Sequence, residues 1–227
     1  LAIVGDYTWF DQDAASLAQV GKQDDTTDLR AFRMGLVLKS KSSFAWDFFF
    51  ATDFQEQRTR EDEVFQLYDF RFGIPLGPVK MYVGKQKEPF VYELVSLSVM
   101  ASQDERILSP FFVTRSVGVQ FTGPLAGDRM TWAAGWFNDW LDSDLAFSDN
   151  SNDYVGRITA LPFASADNRN YLHLGLGLRR VGDDAGQMRF SGRPESNVAD
   201  KYLDTGNFTA NYARQLSLEA IWSRGPI

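Results

Sequence analysis

The sequence predicts an all-β chain that forms an antiparallel up-and-down transmembrane β-barrel. Apolar and polar residues alternate with a period of two over segments of about ten residues, and the connections between segments are alternately long and short. The apolar face is also rich in rings, because the 227 residues include 19 Phe, 8 Tyr and 6 Trp. No run of about 18 apolar residues is present, so the sequence offers no membrane-spanning helix.

The alternation marks about ten strands and no helix of useful length. It is clearest at 30–39, 44–54 and 170–181, where one face carries Phe, Trp, Met or Leu and the other carries Gly, Ala and charged residues. The remaining strands are predicted at 2–10, 64–74, 79–87, 115–123, 130–138, 154–162 and 212–224.

The connections fall into two classes. Short turns rich in Gly, Pro and Ser follow every second strand, as at 40–43, 75–78 and 124–129. Long loops lie at 11–28, 55–63, 88–114, 139–153 and 183–211. This rhythm is typical of barrels in the bacterial outer membrane, where short turns gather at one end and long loops at the other. In lipid every backbone polar group needs a partner within the protein, so a membrane-spanning sheet must close into a barrel.

A soluble β-sandwich shares the alternation and stays an alternative. It does not account for an aromatic face that recurs on nearly every strand opposite a charged, glycine-rich one. On the barrel interpretation the aromatic belt residues lie on the lipid face, namely Trp9, Trp46, Tyr68, Trp132, Trp136, Tyr154 and Trp222. The chain is predicted to be a single barrel domain over 1–227, and to be a piece of a longer mature protein.

Composition excludes several classes of function. The chain lacks Cys, which removes disulfides and thiol nucleophiles, and its single His173 lies in mid-strand without a nucleophile motif nearby. Neither a metal nor a cofactor is predicted. The pI near 4.8 argues against nucleic acid as a partner.

Charge is distributed unevenly along the chain. The net charge is −7, the five long loops together carry −16, and the strands and short turns therefore carry +9. By alternation, the inward bases are Arg33, Lys39, Arg71, Lys80, Arg157 and Arg179, and the inward acids are Asp6, Asp47, Asp53, Asp69 and Glu219. This mixed wall favours a modest preference for anions. In the alternative interpretation, the acidic loops only keep the outer surface solvated.

One stretch is more specific than the alternation. Residues 83–90 read Val-Gly-Lys-Gln-Lys-Glu-Pro-Phe, with Glu93 shortly after, and they resemble the GxxKxPFxxE signature of the phosphate-selective porin O and P family. Other stretches resemble that family in the same order, at 29–36 (its arginine-bearing early strand), 115–120, 132–138, 156–163 and 204–206.

The resemblance implies a trimeric outer-membrane porin of 16 strands, of which this chain would hold about ten. It also implies a loop folded into the pore, for which 88–114 is the candidate. The implied function is passive diffusion of small anions, phosphate or pyrophosphate among them, without enzymatic chemistry. The expected partners are small anions, outer-membrane lipid and further copies of the chain.

Eight cationic residues are predicted to line the pore and bind anions. Arg33, Arg71, Lys80, Arg157 and Arg179 project inward by alternation, and arginine suits bidentate phosphate contacts. Arg30, Lys85 and Lys87 have outward parity and contribute only if a bulge, favoured at Gly84, or a strand terminus turns them inward. The simpler alternative for each is a wall charge paired with an acid such as Asp47 or Asp69.

Three other functions stay open from sequence alone. A weakly selective general diffusion porin would share all the features above. An outer-membrane hydrolase would need a serine nucleophile motif, and a soluble β-rich binding domain would fold in water without detergent.

Overall fold

Ten strands form one antiparallel sheet. The computed structural model describes residues 1–41, 44–54, 66–92, 115–142, 151–167, 169–182, 186–193, 196 and 198–225. The ten strands are β1 (Ala2–Thr8), β2 (Thr26–Ser40), β3 (Trp46–Asp53), β4 (Gln66–Leu76), β5 (Val79–Gln86), β6 (Ser116–Leu125), β7 (Met130–Asn138), β8 (Asn152–Ala164), β9 (Asn170–Gly182) and β14 (Tyr212–Arg224). Each pairs with its neighbours in chain order, so the predicted up-and-down meander is confirmed.

The long loops contain small elements that the alternation did not predict. A helix, α1 (Ala14–Val20), follows β1, and two two-stranded sheets form between β9 and β14 from β10 (Gln187–Met188) with β13 (Phe208–Thr209) and from β11 (Ser191–Gly192) with β12 (Leu203–Asp204). Short 3-10 turns cover Gly127–Arg129 and Trp140–Asp142. Helix α1 has only 7 residues, capped by Asp13 and ended by Gly21, too few to show a helical period.

The ten strands form an open sheet and do not close into a barrel by themselves. Strands β1 and β14 stand at the two ends of the strand order, and each pairs on one side only. Edges of this kind carry unpaired backbone groups, which lipid does not tolerate. Within the described ranges, no helix is both long and apolar enough to cross a membrane.

The two faces of the sheet differ as the alternation predicts. One face exposes large apolar side chains, and on β14 Leu218 is 78% and Trp222 is 76% exposed. The other face carries most of the charged side chains of the sheet, and the buried residues 88–91 pack against it. We call the first the outer face and the second the inner face.

Bulges change which face some residues reach. Register shifts occur in three strand pairs, between Val4 and Gly5, between Ala51 and Thr52, and between Ala160 and Phe163. The first leaves Arg30 as the extra residue on β2, and the second leaves Tyr68 as the extra residue on β4. A bulge residue does not follow the simple alternation, so sequence parity fails at these points.

Contacts between distant loops show that the sheet curves. The side chain of Thr8 lies 2.8 Å from that of Ser196, and Ser16 lies 3.0 Å from the hydroxyl of Tyr202. Strands β1 and β9, from which these loops extend, are eight places apart in the sheet. That separation would be about 38 Å in a flat sheet, so curvature brings the two loops together at the long-loop end.

Three acids predicted in long loops belong to the inner wall instead. Strand β2 begins at Thr26 and β8 at Asn152, so Asp28 and Asp153 lie within strands, and both are buried. Glu88 is fully buried just after β5. The inner wall is therefore less positive than the division into loops and strands predicted, because longer strands take residues from the predicted loops.

Candidate functional site

Most cations of the inner face are paired with carboxylates. Within the described part of the chain, five of the eight predicted residues form ion pairs, and these pairs are Arg30 with Asp6, Arg33 with Asp53, Lys80 with Asp47, Arg157 with Glu219, and Arg179 with Glu88 and Asp153. A paired arginine still has several N–H donors and can contact a passing anion, whereas full burial removes that ability.

Arg30 reaches the inner face through the bulge in the β1–β2 pair. The alternation along this strand predicted that the Arg30 side chain points outward unless a bulge intervenes. The register passes from Val4–Ala31 to Gly5–Leu29, so Arg30 has no partner residue on β1. Its Nε contacts the carboxylate of Asp6 instead. A backbone irregularity therefore places Arg30 beside an inner-face acid.

A tyrosine brings two arginines together at the long-loop end. The guanidinium carbons of Arg33 and Arg115 lie 4.4 and 4.1 Å from the ring centroid of Tyr68, and Arg33 Nη2 donates to the Tyr68 hydroxyl at 2.9 Å. Arg33 Nε also donates to Asp53 at 2.7 Å, and Arg115 Nε donates to Asp69 at 3.0 Å. We call these five residues the Tyr68 cluster. The prediction that Tyr68 faces lipid is wrong, because the β4 bulge turns it inward.

Two lysines adjoin this cluster at the end of β5. The β4–β5 and β5–β6 registers run through Gly84 without a shift, so no bulge forms there. Gly84 nevertheless has a φ of 122°, which favours glycine, and the next two side chains, Lys85 and Gln86, are both buried. Regular alternation thus ends at Gly84, and Lys87 is the first residue beyond the strand.

The charges around Lys87 act on its protonation. Burial lowers the pKa of Lys87 to about 8, with the positive charges of Arg115 and Arg33 acting in the same direction and Asp69 opposing them. Lys87 therefore stands in a region of positive potential, and its own charge is sensitive to pH near neutrality.

Arg71 is held by aromatic rings. Its guanidinium carbon lies 4.3 Å from the ring centroid of Tyr82 and 5.7 Å from that of Phe49. Its Nε is buried, and within the residues that the structure describes this atom has no hydrogen-bond partner. An arginine packed against rings can keep its positive charge available to a ligand through its more accessible N–H groups.

Lys80 is an inner-face cation that lies closer to the short-turn end than Arg71 does. Its ammonium contacts the carboxylate of Asp47 and lies 4.9 Å from the ring centroid of Tyr82. Along the strands, the cations thus descend from the Tyr68 cluster through Arg71 to Lys80. All belong to β2–β6 or to the residues that adjoin those strands.

Arg179, unlike Arg71, is enclosed by hydrogen-bonding partners from the described residues. It is 4% exposed, and its Nε and Nη2 donate to the two carboxylate oxygens of Glu88 at 2.5 and 3.2 Å. Nη2 also donates to Asp153 at 2.5 Å, and Nη1 donates to Gln215 at 3.1 Å. Ser116 donates to the same Glu88 carboxylate at 2.8 Å. Arg179 thus points inward, as alternation predicts, yet it is enclosed by partners.

Arg157 anchors the same segment through a second carboxylate. Its Nε and Nη2 donate to Glu219 at 2.9 and 2.6 Å, and the backbone N–H of Tyr92 donates to Glu219 Oε1 at 2.9 Å. His173 Nε2 lies 3.2 Å from the other oxygen, Oε2. Glu219 therefore joins β8, β9 and β14 to the start of the 88–114 loop.

Apolar contacts complete this attachment. Phe90 and Val91 form a buried cluster with Phe137 and Val155 from the inner face of β7 and β8. A Cβ at Gly177 would lie 2.1 Å from the carbonyl oxygen of Phe90, so only glycine allows this close approach. The loop predicted to fold inward does begin on the inner face. Its remaining residues, 93–114, lie outside the described residues.

Sequence reasoning missed several residues of this face. Arg115 was predicted only as part of a strand resemblance, and Tyr82 was not considered. Glu88 was counted as a loop acid, and its position between Lys87 and Pro89 in the signature stretch was the signal that could have marked it. Parity along one strand cannot show which carboxylate another strand brings to an arginine.

Comparisons with known proteins agree with this architecture. The family model described as phosphate-selective porin O and P matches residues 2–227. No curated protein matches the chain, and no solved structure matches it. The match covers the whole meander and the segment anchored on its inner face, so the chain belongs to the phosphate-selective porin O and P family.

Proposed function

We propose that this porin passes small anions by diffusion, phosphate or pyrophosphate among them, along the β2–β6 part of its inner face. Family membership places the protein in the bacterial outer membrane as a channel and not as an enzyme, and it implies the passage of small solutes through a β-barrel. The anion preference and the path are the proposal. The observation that carries it is Arg71, a partly exposed cation whose guanidinium lies against the rings of Tyr82 and Phe49.

The surroundings of Arg71 support the proposal. Toward the long-loop end, the Tyr68 cluster and Lys87 bring three cations near two carboxylates; the cations are Arg33, Lys87 and Arg115, and the acids are Asp53 and Asp69. Arginine held on a ring presents its remaining N–H donors in a fixed plane, which suits the oxygens of phosphate. A path of this kind offers successive weak sites, as conduction requires.

The part of the inner face formed by β8, β9 and β14 has a different role in this proposal. Arg157 and Arg179 are each neutralised by carboxylates, and both hold the segment 88–92. In this proposal the two arginines hold that segment in place, and the segment forms part of the wall along which solutes pass. The predicted anion contacts then remain for Arg33, Arg71, Lys80, Arg30 and Lys87, whereas Lys85 is buried and out of reach of a passing anion.

A weakly selective diffusion pore is the second candidate. The observation that favours it is the ion pairing of most inner-face cations, which leaves only a small local excess of positive charge. Such a wall would conduct anions and cations at similar rates.

Planar bilayer recordings separate the two candidates. The full-length protein is reconstituted, the reversal potential is measured in a KCl gradient, and phosphate is titrated against the chloride current. We expect an anion-selective reversal potential and a chloride current that phosphate reduces. Cation preference, or a chloride current that phosphate leaves unchanged, would end the anion proposal and favour the second candidate.

The variant Arg71→Gln tests the path. Loss of one charge-assisted hydrogen bond, about 1.5–3 kcal/mol, raises the phosphate concentration for half-block about tenfold or more. The control is Arg224→Gln, which removes an exposed arginine at the far end of β14. Equal phosphate block in wild type and Arg71→Gln would remove Arg71 from the path.

We also propose that 1–227 belongs to a single barrel domain and that the barrel assembles as a homotrimer. Both follow the family resemblance. Chemical cross-linking of the protein in intact outer membranes tests the assembly, and a ladder that stops at the monomer would contradict it.

A further inference from the structure

A row of outer-face side chains crosses five strands near the long-loop end. The strand register pairs Val119 with Trp136, Trp136 with Tyr154, Tyr154 with Arg180, and Arg180 with Arg214. Directly paired residues of an antiparallel sheet share a face. The row therefore passes from apolar and aromatic side chains on β6–β8 to two adjacent arginines on β9 and β14.

The two arginines are exposed and share one aromatic neighbour. Their guanidinium carbons lie 5.2 Å (Arg180) and 5.4 Å (Arg214) from the ring centroid of Tyr212. Among the residues described, no carboxylate forms an ion pair with either arginine. Like charges directly opposite each other in a sheet are destabilising, so an anion between them would stabilise this arrangement.

A groove lies beside the row, one step toward the short-turn end. The register places Phe121, Ala134, Gly156 and Leu178 in a second outer-face row. The two small residues lie between the two large ones, and a Cβ at Gly156 would meet nothing within 4 Å. Together with Trp136, Tyr154 and the arginines, these residues line a groove of about 760 Å³. The groove is apolar along its length and cationic at its long-loop side.

The position of these residues along their strands indicates which membrane leaflet the groove faces. Arg180 precedes the long loop after β9, Tyr212 begins β14, and Tyr154 follows the long loop before β8. In outer-membrane barrels the long loops lie on the extracellular side, so these residues stand at the outer leaflet boundary. Trp136 donates from Nε1 to Asn152 at 2.8 Å, as an interfacial ring does when its polar edge faces water. Lipid-facing arginines cost about 0–1 kcal/mol near this boundary.

We propose that this groove binds a phosphate-bearing lipid of the outer leaflet. Its phosphate lies between Arg180 and Arg214, and one acyl chain lies along Ala134 and Gly156. Two guanidinium groups offer the donors that a phosphate accepts, and the apolar groove receives the chain. The site is separate from the pore, because Arg179 faces inward while its neighbour Arg180 faces lipid. It rests on the protein's place in the outer membrane and not on the proposed anion preference.

Binding of lipid A, the phosphorylated glucosamine-disaccharide lipid of outer membranes, tests the site. The full-length protein in detergent micelles is titrated with lipid A and with its dephosphorylated form, and bound lipid is counted by native mass spectrometry. We expect Arg180→Gln/Arg214→Gln to weaken lipid A binding about tenfold or more, the loss of one or two charge-assisted hydrogen bonds. Arg224→Gln, on the same face at the other end of β14, leaves binding unchanged. Gly156→Leu fills the groove and weakens binding with both arginines in place.

Each outcome bears on the proposal. Equal binding of lipid A by wild type and the double variant overturns the site, and so does equal binding of the phosphorylated and dephosphorylated forms. Heat-modifiable migration on gels shows whether each variant has folded. If the double variant fails to fold, the Gly156→Leu result and the comparison of the two lipid forms decide. Inorganic phosphate is added as a competitor, and full displacement at a few millimolar would show a free-anion site instead of a lipid site.

Discussion

The carboxylate of Glu88 accepts from Arg179 Nε at 2.5 Å across 91 residues of sequence. This pair ties Glu88, the second residue after β5, to the inner face of β9. Both side chains are almost fully buried, and Asp153 and Ser116 complete their hydrogen bonding. Buried charges need such complete pairing, because an uncompensated one is expensive. The pair therefore positions the start of the 88–114 loop on the pore wall.

Removing the charge of Glu88 should destabilise the protein. Glu88→Gln leaves Arg179 with Asp153 as its only carboxylate partner among the described residues, and we expect the free energy of unfolding to fall by about 3 kcal/mol. Urea unfolding in detergent, followed by tryptophan fluorescence, measures this change. The control is Asp204→Asn, which breaks an exposed pair with Arg189 and should have little effect. Similar midpoints for the two variants would contradict the positioning role.

The close approach at Gly177 allows a steric test of the same attachment. In Gly177→Ala, the new Cβ would lie 2.1 Å from Phe90 O, so the segment must move away from the sheet. We expect a loss of about 1–3 kcal/mol and a changed single-channel conductance. Gly156→Ala, whose Cβ meets open space on the outer face, is the matched control. Unaltered conductance in Gly177→Ala would show that Phe90 does not shape the pore.

The ionisation of Lys87 should make anion preference depend on pH. A lysine is positive below its pKa, so raising the pH through about 8 removes this charge from the wall. Anion-to-cation permeability, measured from reversal potentials, should therefore fall between about pH 7 and pH 9. Lys87→Met should lower the ratio already at pH 7, and Lys87→Arg should hold it constant. A fall of the same size in Lys87→Arg would assign the titration to another group.

Tyr68 should act chiefly through its ring. Tyr68→Phe keeps the ring against Arg33 and Arg115 and loses one hydrogen bond, so we expect a loss near 1 kcal/mol in stability and little change in selectivity. Tyr68→Leu also removes the two cation–π contacts, so that Arg33 and Arg115 keep their carboxylate partners but lose the ring that holds their planes. We expect the phosphate block to weaken clearly only in Tyr68→Leu, as measured by titration of the chloride current. Equal block in both variants would refute a role for the ring.

Strand alternation predicts the face of some residues correctly and fails at others. The even positions of β9 and β14 face lipid and Arg157 and Arg179 face inward, as the alternation predicts, because a strand sends successive side chains to opposite faces. Arg30 and Tyr68 depart from simple alternation, since bulges insert them where the register shifts. Lys85 departs because Gly84 takes a positive φ without any register shift.

Sequence reasoning alone predicted the ten long strands, their order and their two faces, since periodicity and turn chemistry are local properties of a chain, and a short signature motif indicated the family. Which charged side chains pair with each other became visible only in the folded chain. Glu88 pairs with Arg179, Glu219 pairs with Arg157, and Arg71 lies against the rings of Tyr82 and Phe49, because curvature and register bring together residues that are far apart in sequence. The physical reason is that an arginine's contribution depends on its nearest carboxylate, and that neighbour comes from another strand.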